Sequence, residues 1–129
     1  MGDRVVFRVS ESVGRTDFAP APDFGKAIIQ AAHAARTIVI RGRTDAEVAD
    51  EMEGRIALER ALKARAFLVG QGIDASKIGL KSLAAGGFIA DNSSPQGRRL
   101  NRRVEIEAQG VDTATLSALS AAPQSRSPL

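Results

Sequence analysis

One aspartate and a few arginines are the residues of this sequence best placed to do chemistry. Asp45 follows the apolar run Thr37-Ile38-Val39-Ile40, after Gly42-Arg43-Thr44. A run of that kind reads as a buried strand. Asp45 then stands near the strand's carboxyl end, in a loop facing the crevice where open α/β sheets take ligands. Arg60 comes fifteen residues later, in Leu58-Glu59-Arg60-Ala61. It borders a helical seam of small residues, Ala57, Ala61 and Ala64, that ends at Leu68. A long side chain at such a border covers apolar surface and carries its charged head into the crevice. Between Gly97 and Ile106 the sequence reads Gly-Arg-Arg-Leu-Asn-Arg-Arg-Val-Glu-Ile, so four arginines crowd a turn ahead of a strand. A fixed cluster of guanidinium forks suits carboxylate or phosphate, and a positively charged hairpin rim is the plainer reading.

A carboxylate grips an ammonium, and a guanidinium grips a carboxylate through two parallel hydrogen bonds. Set several ångströms apart, Asp45 and Arg60 are complementary to an amino-acid zwitterion. Charge-assisted hydrogen bonds contribute roughly 1.5–3 kcal/mol each when partly sheltered. Two or three of them on a preformed rim give on the order of micromolar to millimolar binding once association costs are subtracted. Structural roles compete for the same residues. Thr44-Asp45-Ala46-Glu47 has the form of a capping box, and Arg60 can pair with Glu53 on a helix surface.

Composition narrows the classes. A chain of 129 residues, 43% hydrophobic and 26% charged, forms one domain with a real core. The net charge of +3 is mildly basic, but there is no Trp, no Tyr and only five Phe for stacking, which argues against nucleic acid. The absence of Cys removes disulfides and thiolate chemistry, and a lone His33 leaves the usual metal sites and histidine triads without members. Glu47, Asp50, Glu51 and Glu53 are spaced as a solvated helix face rather than a metal or glycosidase site. Gly86-Gly87 lacks the Lys-Ser/Thr of a phosphate loop and reads as a turn. No enzyme activity, cofactor or metal is expected. No apolar run approaches a membrane span. Met1-Gly2-Asp3-Arg4 leads into strand-like residues without a signal-peptide pattern, which fits a cytosolic protein or a fragment.

The elements that must position these groups follow from periodicity. Strands are expected at Val5–Val9, Thr37–Ile40, Ile78–Leu83 and Arg102–Ala108, the last with Val104 and Ile106 inward and Glu105 and Glu107 outward. Helices are expected after an Asp23 cap, carrying Phe24, Ile28, Ala31, Ala32 and Ala35, and from Asp50 to Val69. Residues 84–100 read as a long loop. The order β-α-β-α-β-β predicts a sheet with helical crossovers and a final hairpin-like pair. Residues 1–110 form the domain; residues 111–129, rich in Ala, Ser, Thr and Pro, read as a flexible tail with one helical turn near Thr113 to Leu119.

Four pieces in this order resemble the OmpA-like peptidoglycan-binding domain. They are the strand-Gly-x-Thr-Asp element, the Leu/Ile-x-x-x-Arg-Ala helix, the connector Gly-Ile-Asp-Ala-Ser-Lys-Ile at 72–78, and Ala90-Asp91-Asn92 through Asn101-Arg102-Arg103-Val104-Glu105-Ile106. The match runs from about Val5 to Ala108. The resemblance implies an α+β domain, a mixed four-stranded sheet with helices on one face, in the periplasm of a Gram-negative bacterium and associated with its outer membrane or wall. It implies non-catalytic binding of peptidoglycan through the stem's diaminopimelate, tethering envelope proteins of a larger assembly. By the resemblance, Asp45 receives the diaminopimelate ammonium and Arg60 its carboxylate. Arg102 supports them with Asn101 beside it, and Thr44 donates from its hydroxyl or backbone. Arg43 replaces the family's usual His, and it either folds onto Asp45 or adds a grip on a stem carboxylate. Met52-Glu53, Ser82-Leu83-Ala84 and Phe88 also depart from the family pattern. These departures support an alternative: an OmpA-like interaction module of a secretion, conjugation or motility apparatus that has lost wall binding and forms a stable complex or homodimer.

Overall fold

The computed structural model describes residues 3–121. Four strands, β1 (Asp3–Ser10), β2 (Thr37–Ala46), β3 (Ile78–Ala85) and β4 (Arg103–Val111), form one sheet in the order β1-β4-β2-β3. β4 lies between β1 and β2 and is antiparallel to both, while β2 and β3 run parallel. The expected hairpin is therefore not formed: β3 and β4, though consecutive strands, have β2 between them. A parallel pair needs a crossover, and α2 (Glu51–Gly70) supplies it, followed by a 3₁₀ turn at Ala75–Lys77.

The helices α1 (Pro22–Ala34) and α2 pack on one face of the sheet, as the patterning requires. Ile28, Ala31 and Ala32 of α1 and Ala61, Ala64 and Leu68 of α2 are buried against Val9, Ile38, Ile40, Val104, Ile106 and Ala108. Pro22 occupies the first turn of α1, where its missing N–H costs nothing; Asp23 lies inside that turn rather than capping it. α2 is capped by Asp50, whose side chain accepts from the Glu53 backbone N–H at 2.8 Å. Thr44-Asp45-Ala46 is strand, so no capping box forms there. Gly42 sets how closely α2 lies on β2: a Cβ there would fall 1.8 Å from the Ala57 carbonyl oxygen.

Four boundaries differ from the sequence expectation. β2, expected over Thr37–Ile40, runs on to Ala46, so Asp45 lies within the strand and not in a loop after it. Residues 95–101 of the expected loop are a helix, α3, capped by Ser94, which accepts from Gly97 N–H at 2.9 Å. β4 starts at Arg103 and runs to Val111. The chain after Gly110 continues as α4 (Thr113–Ala121), whose Leu116 and Leu119 pack on the core; residues 122–129 of the expected tail lie outside the described residues.

The opposite face of the sheet carries a charge lattice instead of helices. Glu105 and Glu107 do point away from the core, as alternation predicts, yet both are buried. Glu105 accepts from Arg8, Arg43 and Arg103, and Glu107 from Arg41 and Gln109. Arginine stems thus form a roof over two carboxylates.

Candidate ligand-binding site

The candidate site lies where β2 ends. Asp45 is the penultimate residue of that strand, with its side chain 28% exposed. Its carboxylate accepts from Arg102 Nη1 at 2.9 Å. Arg102, the residue between α3 and β4, also donates from Nε to the Glu11 carbonyl oxygen at 3.1 Å. Sequence expectation put Asp45 and Arg60 in the leading pair; the salt link that forms is Asp45–Arg102.

Arg60 is buried, with 1% of its surface exposed. Nε donates to the Arg15 carbonyl at 2.9 Å, Nη1 to Arg43 at 2.8 Å and Nη2 to Ser12 at 3.0 Å. One guanidinium therefore ties the β1–α1 loop to the end of β2. Three of its five N–H groups serve the backbone, and the other two make no hydrogen bond among the described residues. Burial draws its pKa below the ordinary arginine range; Glu11, Asp45 and Glu53 oppose that and Arg102 adds to it. Arg60 thus shares one electrostatic neighbourhood with Asp45 and Arg102.

Thr44 and Asn101 act from behind. Thr44 is buried, its hydroxyl donating to the Ala84 carbonyl and accepting from Ala46 N–H at 3.1 Å, which fixes the irregular end of the β2–β3 ladder. Asn101 is fully buried. Its Oδ1 accepts from the N–H groups of Ile89 and Ala90, and its Nδ2 donates to Ala90 O and Asn92 Oδ1. Asn92 in turn donates to the Asp45 carbonyl at 2.9 Å. Asn101 thereby braces the loop that backs Asp45 without facing the rim itself.

Arg43 does not fold onto Asp45. It lies on the open face of the sheet and donates from Nε to Glu105 Oε1 at 3.2 Å. Strand alternation is the reason: residues 43 and 44 point to opposite faces. The four-arginine cluster is likewise divided. Arg98 donates to the Asn92 carbonyl at 3.2 Å, Arg102 reaches Asp45, and Arg103 turns to Glu105 at 2.8 Å. Arg99 stays exposed.

Glu11 has no counterpart in the sequence expectations. It follows β1 directly, is 5% exposed, and its Oε2 has no hydrogen-bond partner among the described residues. Burial pushes its pKa up to about 7, with Arg60 as the largest opposing influence. Two open hollows of about 280 Å³ each flank it, one lined by Ser12, Arg15 and Asp17, the other by Ser12, Val13, Arg99 and Arg102. A strand-end acid without a pattern partner carries no signal in sequence; its burial comes from the fold of the loop.

Residues 23–102, well over half of the chain, match the OmpA family. The chain belongs to the OmpA family. It is 31% identical over 115 residues to outer membrane protein A of Bordetella avium, covering 85% of this chain and 59% of that protein. It is 33% identical over 82 residues to the probable lipoprotein YiaD of Escherichia coli K12, covering 64% of this chain and 37% of that one. This OmpA-family chain thus spans about three fifths or less of those relatives' lengths. The peptidoglycan-associated lipoprotein of Burkholderia pseudomallei shares the fold at a TM-score of 0.68 and 20% identity, over 79% of this chain and 89% of that one. The cell wall anchor of the Pseudomonas aeruginosa T6SS shares it at 0.59 and 21%, over 83% and 82%. The relatives are outer-membrane proteins and a lipoprotein, and periplasmic MotB domains are among the structural neighbours, which agrees with the expected periplasmic, outer-membrane-associated placement. Among the described residues no helix is long and apolar enough to cross a membrane.

Proposed function

We propose that this domain is a non-catalytic peptidoglycan-binding module that holds the diaminopimelate of the stem peptide and anchors an envelope assembly to the wall. The observation that carries this reading is the partly exposed Asp45 carboxylate, oriented by Arg102 at 2.9 Å beside the buried positive charge of Arg60. Asp45 takes the ligand's ammonium. Arg60 takes its carboxylate with the two N–H groups that serve no carbonyl. The similar T6SS protein is a cell wall anchor and the similar lipoprotein is peptidoglycan-associated, which supports the reading.

Purified protein should co-sediment with sacculi that contain diaminopimelate, and Asp45→Asn should abolish this while leaving the unfolding midpoint near that of wild type. Equal sedimentation of the variant would remove the reading. One observation favours the interaction-module alternative: three Arg60 donors already hold backbone carbonyls. That alternative gives no sedimentation by wild type, together with light scattering that reports a dimer as concentration rises.

A further inference from the structure

Of the two open hollows that flank Glu11, only one has a charge left over. In the hollow lined by Arg15 and Asp17, those two side chains close onto each other at 3.0 Å. In the other, Arg99 is exposed on α3 and makes no hydrogen bond or ion pair among the described residues. Arg102 lines this second hollow too, with 12% of its side chain exposed. It donates from Nε to the Glu11 carbonyl and from Nη1 to Asp45, whereas Nη2 has no acceptor among the described residues. One guanidinium is thus a partition, bonded to Asp45 and at the same time lining the hollow. Glu11 does not cancel Arg99, because its side chain is buried and enters no salt bridge among the described residues. Ser10 and Ser12 are exposed on the same wall, and Val13, 76% exposed, adds an apolar side chain.

Two guanidinium groups lining one hollow repel each other, and an anion seated between them is attracted by both. We propose that this hollow takes a second carboxylate of the peptide whose ammonium sits on Asp45, with Arg99 as the residue that grips it. This rests on the wall-binding reading and says what the protein holds beside the diaminopimelate. Arg102 sets the spacing: the ligand's ammonium and its second carboxylate lie on either side of one guanidinium. That is a short reach, so the carboxylate belongs to the diaminopimelate main chain or to the residue joined to it. Two stem groups meet this chemistry. One is the α-carboxylate of a γ-linked glutamate preceding the diaminopimelate, the other the terminal carboxylate of a stem that ends at it. Exposure limits the strength of the contact. Arg99 is solvated, so the added grip amounts to about threefold to tenfold in affinity and weakens with salt.

The test uses the whole chain and the tripeptide alanyl-γ-glutamyl-diaminopimelate in three forms: unmodified, amidated at the glutamate α-carboxyl, and amidated at the main-chain terminus. Affinities are measured by calorimetry at low salt. Arg99→Gln breaks no bond of the folded chain and should weaken the unmodified peptide about threefold to tenfold. Arg55→Gln removes the same charge from an exposed position on α2 and should bind like wild type. One of the two amidated peptides should bind wild type and Arg99→Gln equally, because its partner for Arg99 is already gone, and which one it is identifies the carboxylate. Arg99→Gln binding the unmodified peptide as tightly as wild type overturns the second grip and leaves wall binding intact. So does an equal loss in Arg55→Gln, which would report general charge attraction, or an Arg99→Gln loss that persists in full with both amidated peptides. Failure of wild type to bind any of the three overturns the wall-binding reading as well.

Discussion

Arg60 shows how a charged residue can hold a fold together from a buried position. Its three bonds to the carbonyls of Ser12, Arg15 and Arg43 hold together two segments far apart in sequence. Hydrogen bonds to charged groups contribute roughly 1.5–3 kcal/mol each, and buried carbonyls left without a donor are costly. Arg60→Ala should therefore cost about 3–5 kcal/mol, read as a lower midpoint in urea unfolding. Loss of wall binding in that variant would report on folding, which is why Asp45→Asn is the cleaner probe. Glu11 works with the opposite sign. Its folded pKa of about 7 lies above the unfolded value near 4.5, so the folded state holds the proton more tightly. Stability from this group is fully present below about 4.5 and is lost as pH rises through about 7. Glu11→Gln should flatten that decline, and urea unfolding at several pH values between 4 and 8 measures it.

The elements place these residues through close contact. α2 brings Arg60 under the end of β2 because Gly42 and the Ala57–Ala61 seam let helix and strand nearly touch. Gly42→Ala puts a methyl into the Ala57 carbonyl and should destabilise the domain by about 2 kcal/mol or more, with weaker ligand binding as Arg60 shifts. α3 has a similar constraint at Gly97, where a Cβ would fall 1.6 Å from the Asp91 carbonyl oxygen. That contact lets Asn101 reach back to the 89–92 loop. Asn101→Ala removes four hydrogen bonds and strands buried backbone groups. It should cost roughly 2–4 kcal/mol, and amide exchange should quicken at Ile89 and Ala90.

At the scale of the whole molecule the sheet separates two charge systems. The open face spends Arg8, Arg41, Arg43 and Arg103 on two buried glutamates, whereas the strand-end rim keeps Asp45 and Arg102 partly exposed. The basic excess of the chain is thus not one surface field. Wall binding by the rim should be specific rather than generally electrostatic. Free diaminopimelate in excess should release the protein from sacculi, while a diamine of the same length without carboxylates should not; sedimentation assays compare the two. An equal release by both would show that attraction of the amines alone, and not the zwitterion, governs attachment.

Local pattern was enough for the helical seam of α2, the alternation of β4 and the family signature in residues 90–106, because each depends on neighbours within a few positions, but it ended β2 too early and so put Asp45 in a loop. The family resemblance singled out Arg102, which the fold bonds to Asp45, and Asn101, which braces the loop behind it. Pairing was beyond either. Which strand lies between β1 and β2, which guanidinium meets Asp45, why Arg43 faces Glu105, and why Glu11 is buried with an unpaired oxygen are all set by contacts across tens of residues. Composition and spacing supply the charges, whereas burial and distance, which exist only after the chain has closed on itself, decide which of them hold the fold and which remain for a ligand.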